Sequence, residues 1–213
     1  MTRTILKTIL NQHSNCVDVG CHKGEILDLM LKYAPNGRHH AFEPIPYLFD
    51  NLKNRYGNKV NVHPFALADD KGETSFYLVK NAPAYSGIKI RNYRIRNPEI
   101  EQITVAKERL DDVVFGNQKI DFIKIDVEGG EFAVLKGSIR LLQKYKPVIL
   151  FEFGKGASDH YGTTPDDIFD FLSEDFTYKI YTLDGFLSKD EPIKKADLVN
   201  YFEKGTAYYF LAV

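Results

Sequence analysis

The sequence predicts an α/β fold, a doubly wound and mostly parallel seven-stranded sheet of Rossmann-like type, with a hairpin-like insertion after the third strand. Three observations predict it. Short apolar runs alternate with helix-periodic stretches along the whole chain. A glycine turn from Gly20 to Gly24 joins the first such run to the first amphipathic stretch. The 213 residues suit one domain over 1–213, long enough to bury ~70–75% of its unfolded surface.

A leading helix is expected over Thr4 to Leu10, with Ile5, Leu6, Ile9 and Leu10 on one face. Cys16 to Val19 reads as strand one. The helix after it runs from Glu25 to Tyr33, with Ile26, Leu27, Met30 and Leu31 as its apolar side, and Pro35 and Gly37 end it. Strand two is His39 to Phe42. A second helix opens near Pro46, carries Leu48, Phe49, Leu52 and Tyr56, and stops at Gly57. Strand three is expected at Val60 to Phe65. After a polar turn at Asp69 to Gly72, strands at Glu73 to Val79 and Glu101 to Val105 form the insertion, about 73–106. Strand four is Asp121 to Ile125, followed by one helix from Glu131 to Leu142. Strand five is Pro147 to Phe153, a helix covers Pro165 to Leu172, strand six is Thr177 to Thr182, and Ala207 to Val213 can pair antiparallel at the end.

Composition narrows the function classes. With 28 basic and 29 acidic residues the formal net charge is −1, without the basic excess of a nucleic-acid binder. No apolar run approaches the ~20 residues that span a bilayer. Residues Met1 to Asn11 lack the features of a signal peptide. Two cysteines, Cys16 and Cys21, cannot alone supply a structural zinc site. A reducing, cytoplasmic setting is the expectation.

In open α/β sheets ligands bind beyond the carboxyl ends of the strands, where strand order reverses. That rule selects Asp18 to Gly24, Glu43, Ala66-Leu67, Asp126 to Gly129 and Glu152 as one rim. Glu43 closes strand two about 20 residues after the glycine turn, where a carboxylate grips a ribose diol. The turn is G-x-x-x-G rather than G-x-G-x-x-G, and Asp18 and Glu25 would repel a pyrophosphate. The pattern therefore favours S-adenosylmethionine, which carries an ammonium and a sulfonium but no phosphate. Asp18, Gly20, His22, Gly24, Glu43, Ala66 and Asp126 are the expected cofactor residues.

The stretch from Lys124 to Phe132, K-I-D-V-E-G-G-E-F, continues through Val134-Leu135-Lys136-Gly137. It resembles the K-I-D-V-E-G-x-E-x-x-V-L-x-G signature of FkbM-type methyltransferases. The resemblance extends to V-D-V-G-x-x-x-G at Val17 to Gly24, F-E-P at Phe42 to Pro44 and H-P-x-A-L at His63 to Leu67. It also takes in R-L-D-D at Arg109 to Asp112 and the strand ending Phe151-Glu152-Phe153. His22 departs from the family's usual Asn. The resemblance implies a class I methyltransferase fold and O-methylation of a hydroxyl on a sugar, glycan or secondary metabolite.

An alcohol acceptor needs a base, and Asp126, Glu152 and His160 are the candidates. Glu128 and Glu131 read mainly as acids in the first turn of a helix. No compact metal-ligand cluster is visible, so no metal is expected. Within the insertion, Tyr85, Ser86, Arg91 and Arg94 are the expected substrate contacts, from a lid over the acceptor. Such a lid implies an anionic small-molecule or glycan acceptor; its alternative is a solvated hairpin. Two other functions stand beside the enzyme reading. One is a non-catalytic S-adenosylmethionine-binding module. The other, a nucleic-acid methyltransferase, is opposed by the missing aromatic-proline motif after strand four.

Overall fold

A computed structural model describes residues 1–93, 95–116 and 118–213. It opens with α1 (Thr2–Ile9), which buries Ile5 and Leu6, and then β1 (Cys16–Val19), buried along its whole length. The glycine turn leads into α2 (Glu25–Tyr33), then β2 (His39–Phe42) and α3 (Pro46–Tyr56). Proline at the first position of α3 costs no hydrogen bond there and presets its φ.

The expected third strand is two strands. β3 (Val60–His63) pairs in parallel with β2, whereas β4 (Phe65–Leu67) belongs to a second sheet. Pro64, between them, has no N–H to continue a ladder. β4 pairs with β6 (Ile100–Glu108), which runs antiparallel to β5 (Gly72–Val79) over eight residue pairs. The insertion is thus the hairpin foreseen, extended by β4 into a three-stranded sheet of order β4-β6-β5.

A short α4 (Leu110–Val113) leads to β7 (Phe122–Ile125). The expected single helix then divides into α5 (Glu131–Lys136) and α6 (Ile139–Tyr145). A Cβ at Gly137 would lie 2.1 Å from the Ala68 carbonyl oxygen, so only glycine passes there. The Ser138 hydroxyl donates back to the Val134 carbonyl, and Asp111 accepts from the N–H groups of Arg140 and Leu141 at the start of α6. Part of the R-L-D-D motif is therefore a helix cap supplied from a distant segment.

β8 (Val148–Glu152) precedes α7 (Pro165–Phe169), which a Thr164–Asp167 capping box starts. A wide helical turn at Asp170–Asp175 follows it. β9 (Ile180–Thr182) is shorter than foreseen. Two helices absent from the sequence reading, α8 (Leu183–Ser188) and α9 (Lys195–Lys204), come before β10 (Tyr209–Ala212).

The main sheet has seven strands in the order β3-β2-β1-β7-β8-β10-β9. All its pairs are parallel except those of β10, antiparallel to both β8 and β9. Strand order reverses between β1 and β7. Apolar side chains fill both faces: Phe42, Ile123, Phe151 and Phe210 belong to one cluster, and Leu6, Leu27, Met30 and Phe122 to the other. Among the described residues, no helix is long and apolar enough to cross a membrane.

Candidate active site

The reversal between β1 and β7 opens a crevice at the carboxyl ends of both strands, and the glycine turn lies in it. Gly20 has φ +71°, and a Cβ there would stand 2.0 Å from the Asp126 carbonyl oxygen. Gly24 has φ +84°, and its missing Cβ makes room for the Tyr56 ring, whose hydroxyl is 3.1 Å from the Gly24 carbonyl. Both glycines therefore permit close packing of protein on protein. His22, between them, is also left-handed, at φ 49°.

Glu43 joins this turn to β2. One carboxylate oxygen accepts from the His22 N–H at 2.8 Å and the other from the Ile45 N–H at 3.0 Å. The Ile45 partner is local, two residues on, and the His22 partner comes from the turn after β1. Burial pushes Glu43 up to about 7 against the pull of these two N–H groups. Glu43 forms part of the wall of an apolar cavity of about 80 Å³, with Phe42, Ile45, Phe65, Ala66 and Phe76 around it. Gly20, His22 and Asp126 border both this cavity and an adjoining cleft of about 230 Å³, which Glu25 and Tyr209 also line.

Asp18 and Gly24 are not in these walls. Asp18 is fully buried, with Lys124 Nζ 3.3 Å away on the neighbouring strand. The ammonium also lies 3.7 Å from Asp126 and donates to the carbonyls of Val19 and Gly20. Burial works against the Lys124 charge, but Asp18 and Asp126 outweigh it and the pKa rises. Burial raises Asp18 in turn, with Lys124 opposing. Because Lys124 counters the Asp18 charge, the argument from Asp18 against a pyrophosphate does not hold. Glu25, exposed at the cleft, keeps its part of that argument.

Three carboxylates from two strand ends and a loop converge here: Asp126, Glu128 and Glu152 have oxygens within 4.8 Å of one another. This compact cluster was not visible in the sequence, because residue 152 reaches it only through the β7–β8 pairing. Tyr209, opposite Glu152 in register, donates its hydroxyl to Asp126 at 3.1 Å. Burial, then the charges of Asp126, Glu128 and Glu131, push Glu152 well above the usual carboxylate range.

Glu128 and Glu131 do not share the helical first turn expected of them. Glu128 lies before α5 with a left-handed backbone, φ 61°, and pairs with Arg91 of the insertion. Burial raises it, with Arg91 pulling the other way and favouring the charged form. Glu131 does start α5, but it is buried and accepts from the N–H groups of Val127 and Gly129. It holds the loop rather than facing solvent.

A wider cleft of about 600 Å³ opens beside the cluster, between the insertion, the segment after β8 and the α9–β10 turn. Tyr85, Arg91, Tyr93, Glu152, Ser158 and Tyr208 line it. Ser86 instead borders the apolar cavity, and its hydroxyl accepts from the Val79 N–H. Arg94 lies outside the described residues. His160 is not in these walls; its carbonyl accepts from Lys89 Nζ, while its ring Nε2 is buried without a hydrogen-bond partner. His160 is not part of the carboxylate cluster.

Residues 18–180 match the Methyltransferase FkbM domain. The chain belongs to the FkbM methyltransferase family. A structure of an FkbM methyltransferase from Methylobacillus flagellatus KT superimposes with a TM-score of 0.59 at 17% identity, covering 96% of this chain and 44% of that one. The chain thus spans less than half the length of that relative. An rRNA methylase from Streptococcus thermophilus gives a TM-score of 0.51 at 11% identity, over 100% of this chain and 92% of that one. The plantazolicin methyltransferase BpumL, in complex with SAH, gives 0.50 at 12% identity over 99% and 81%. At these identities the likeness is one of fold, the Rossmann-like fold of class I methyltransferases. No curated protein matches the chain significantly.

Proposed function

We propose that this FkbM-family chain transfers a methyl group from S-adenosylmethionine to a hydroxyl of a sugar, glycan or other hydroxylated metabolite. The observation that carries this reading is Glu43: a carboxylate at the end of β2, fixed by two backbone N–H groups, in the wall of an apolar cavity beside the glycine turn. The residues fit the cofactor. Each Glu43 oxygen accepts one N–H and keeps a lone pair, enough for the two hydroxyls of a ribose. Phe42, Ile45 and Phe65 offer apolar surface for a base, and Glu25 with Asp126 offers negative charge for an ammonium. The SAH held by the plantazolicin methyltransferase supports the same choice.

S-adenosylmethionine, when bound, supplies an already activated methyl on a sulfonium. The chain's work is then alignment and proton removal, which contribute ~7–11 kcal/mol and about 10²–10⁴-fold respectively. Asp126 is the proton acceptor of this proposal. The Tyr209 hydroxyl, donating to it, fixes its orientation. Glu152, raised far enough to keep its proton, stands beside Asp126 without adding a second negative charge. The acceptor enters by the wide cleft, whose tyrosines suit the apolar face of a sugar ring. Arg91 is already paired with Glu128, so the cleft favours an uncharged acceptor over the anionic one the sequence suggested.

The test is incorporation of radiolabelled methyl from S-adenosylmethionine into a panel of sugars, glycans and hydroxylated metabolites, with RNA as a further arm. Labelling of a hydroxyl that disappears in Asp126→Asn supports the proposal. Labelling of RNA alone, or none from a chain that binds the cofactor, contradicts it.

A further inference from the structure

The sequence places the insertion over the acceptor, but its innermost residues face the other way. Pro83, Ala84, Ser86 and Ile88 form one side of the cavity that holds Glu43. Tyr85 and Arg91 border the wide cleft instead, so the segment is a partition between two sites. The cavity behind it, about 80 Å³, is far below the ~300–1,000 Å³ of ligand pockets. The wall bounds the Glu43 side of the space that the cavity shares with the adjoining cleft of about 230 Å³, so its movement sets the room open to a nucleoside-sized molecule.

Residues 89–91 tie the wall to the body of the protein. The Lys89 N–H donates to the Tyr161 hydroxyl at 3.1 Å, and Lys89 Nζ donates to the His160 carbonyl at 3.3 Å. Arg91 pairs with Glu128, the two side chains only 12% and 14% exposed, and stacks its guanidinium over Tyr85. Glu128 is the fixed partner of that pair. Its left-handed loop is pinned on both sides, because Glu131 accepts from Val127 and Gly129. The bonds of Ser86 to Val79 and of Gly87 to Tyr77 join the segment to its own hairpin and move with it, whereas the Ile88 backbone adds a second contact to Tyr161.

We propose that residues 83–91 are a strap over the cofactor, and that Arg91, through its ion pair with Glu128, is the positioning residue that latches it. This rests on the reading of the Glu43 cavity as a cofactor site. The latch sets how fast cofactor and product enter and leave. An ion pair with a guanidinium on a tyrosine face is stronger and more directional than a lysine could provide at this point.

The experiment pairs hydrogen–deuterium exchange of the ligand-free protein with stopped-flow binding of S-adenosylhomocysteine. The variants are Arg91→Met, Arg91→Lys, and Arg91→Met combined with Glu128→Gln, which leaves no lone buried charge. In Arg91→Met and the double variant, exchange over 83–91 accelerates at least about tenfold, with β1 and β7 unchanged. S-adenosylhomocysteine dissociates at least about tenfold faster from the same two proteins, and Arg91→Lys falls between them and the wild type. Unchanged exchange in both overturns the latch. Faster exchange with unaltered ligand rates overturns the strap's place over the cofactor. A wild type that fails to bind S-adenosylhomocysteine overturns the cofactor reading itself, and the strap with it.

Discussion

The backbone N–H of His22 donates to the Glu43 carboxylate at 2.8 Å, tying the turn after β1 to the end of β2. This bond orients the side chain that the account places against the cofactor ribose, and burial holds that side chain near 7. Ribose hydroxyls donate better to the ionised carboxylate than to the acid. Affinity for S-adenosylhomocysteine therefore rises with pH up to about 7 and levels off above it, and Glu43→Gln flattens the profile. Calorimetric titrations at pH 6, 7 and 8, working values spaced about the transition, measure this. A wild-type affinity independent of pH contradicts it.

Lys124→Met leaves Asp18 buried beside no cation. Removing one partner of a buried pair costs about 3–5 kcal/mol, and the variant should lose about that much stability in urea. Replacing Asp18 by Asn in the same chain removes the orphaned charge and restores most of the loss. A Lys124→Met protein as stable as wild type would show the pair to be dispensable.

Asp126→Asn keeps the shape and the Tyr209 contact but removes the proton acceptor. We expect kcat, measured at saturating S-adenosylmethionine, to fall by about 10²-fold or more, alongside whatever cofactor affinity the lost charge costs. His160→Ala, outside the carboxylate cluster, should stay within a few-fold of wild type. Comparable losses in both variants would take the special role from Asp126.

Stability should fall as pH rises from 6.5 to 8. Glu43 and Glu131 are held near 7, with Glu152 also raised, whereas the unfolded chain ionises them near 4.5. The native state therefore binds more protons than the unfolded state across that window, and the slope of unfolding free energy with pH is negative. His22, His39, His40 and His63, lowered by burial, oppose this most strongly below about 6.5, and their opposition fades across the lower part of the window. The exposed Asp69, Asp112 and Asp167, which are lowered, titrate well below the window. Urea unfolding at the two pH values tests the sign, and Glu152→Gln should weaken the dependence.

The sequence carried the parts of the fold that one segment decides alone. The strand ends at Val19, Phe42 and Ile125 follow from apolar runs meeting polar or glycine residues, and they brought Glu43 and Asp126 to the crevice. What it concealed depends on register between segments. Lys124 lies opposite Asp18 only once β1 and β7 pair, although its spacing of two from Asp126 already put both on one side of a strand. Tyr209 meets Asp126 through an antiparallel pairing that no local pattern announces. The left-handed Glu128 had no glycine to mark it, and Arg91 reaches it from across the crevice. Helix α8 shows no period because it is only six residues long and carries a glycine, whereas α9 held a legible signal in Leu198 and Phe202 at i, i+4.

The most direct test of the central claim is calorimetric titration of the wild type and Glu43→Ala with S-adenosylmethionine. The account predicts one saturable site per wild-type chain, weakened at least about tenfold by Glu43→Ala as charge-assisted hydrogen bonds are lost. Equal affinity in a folded variant, or tighter wild-type binding of NAD than of S-adenosylmethionine, would contradict it.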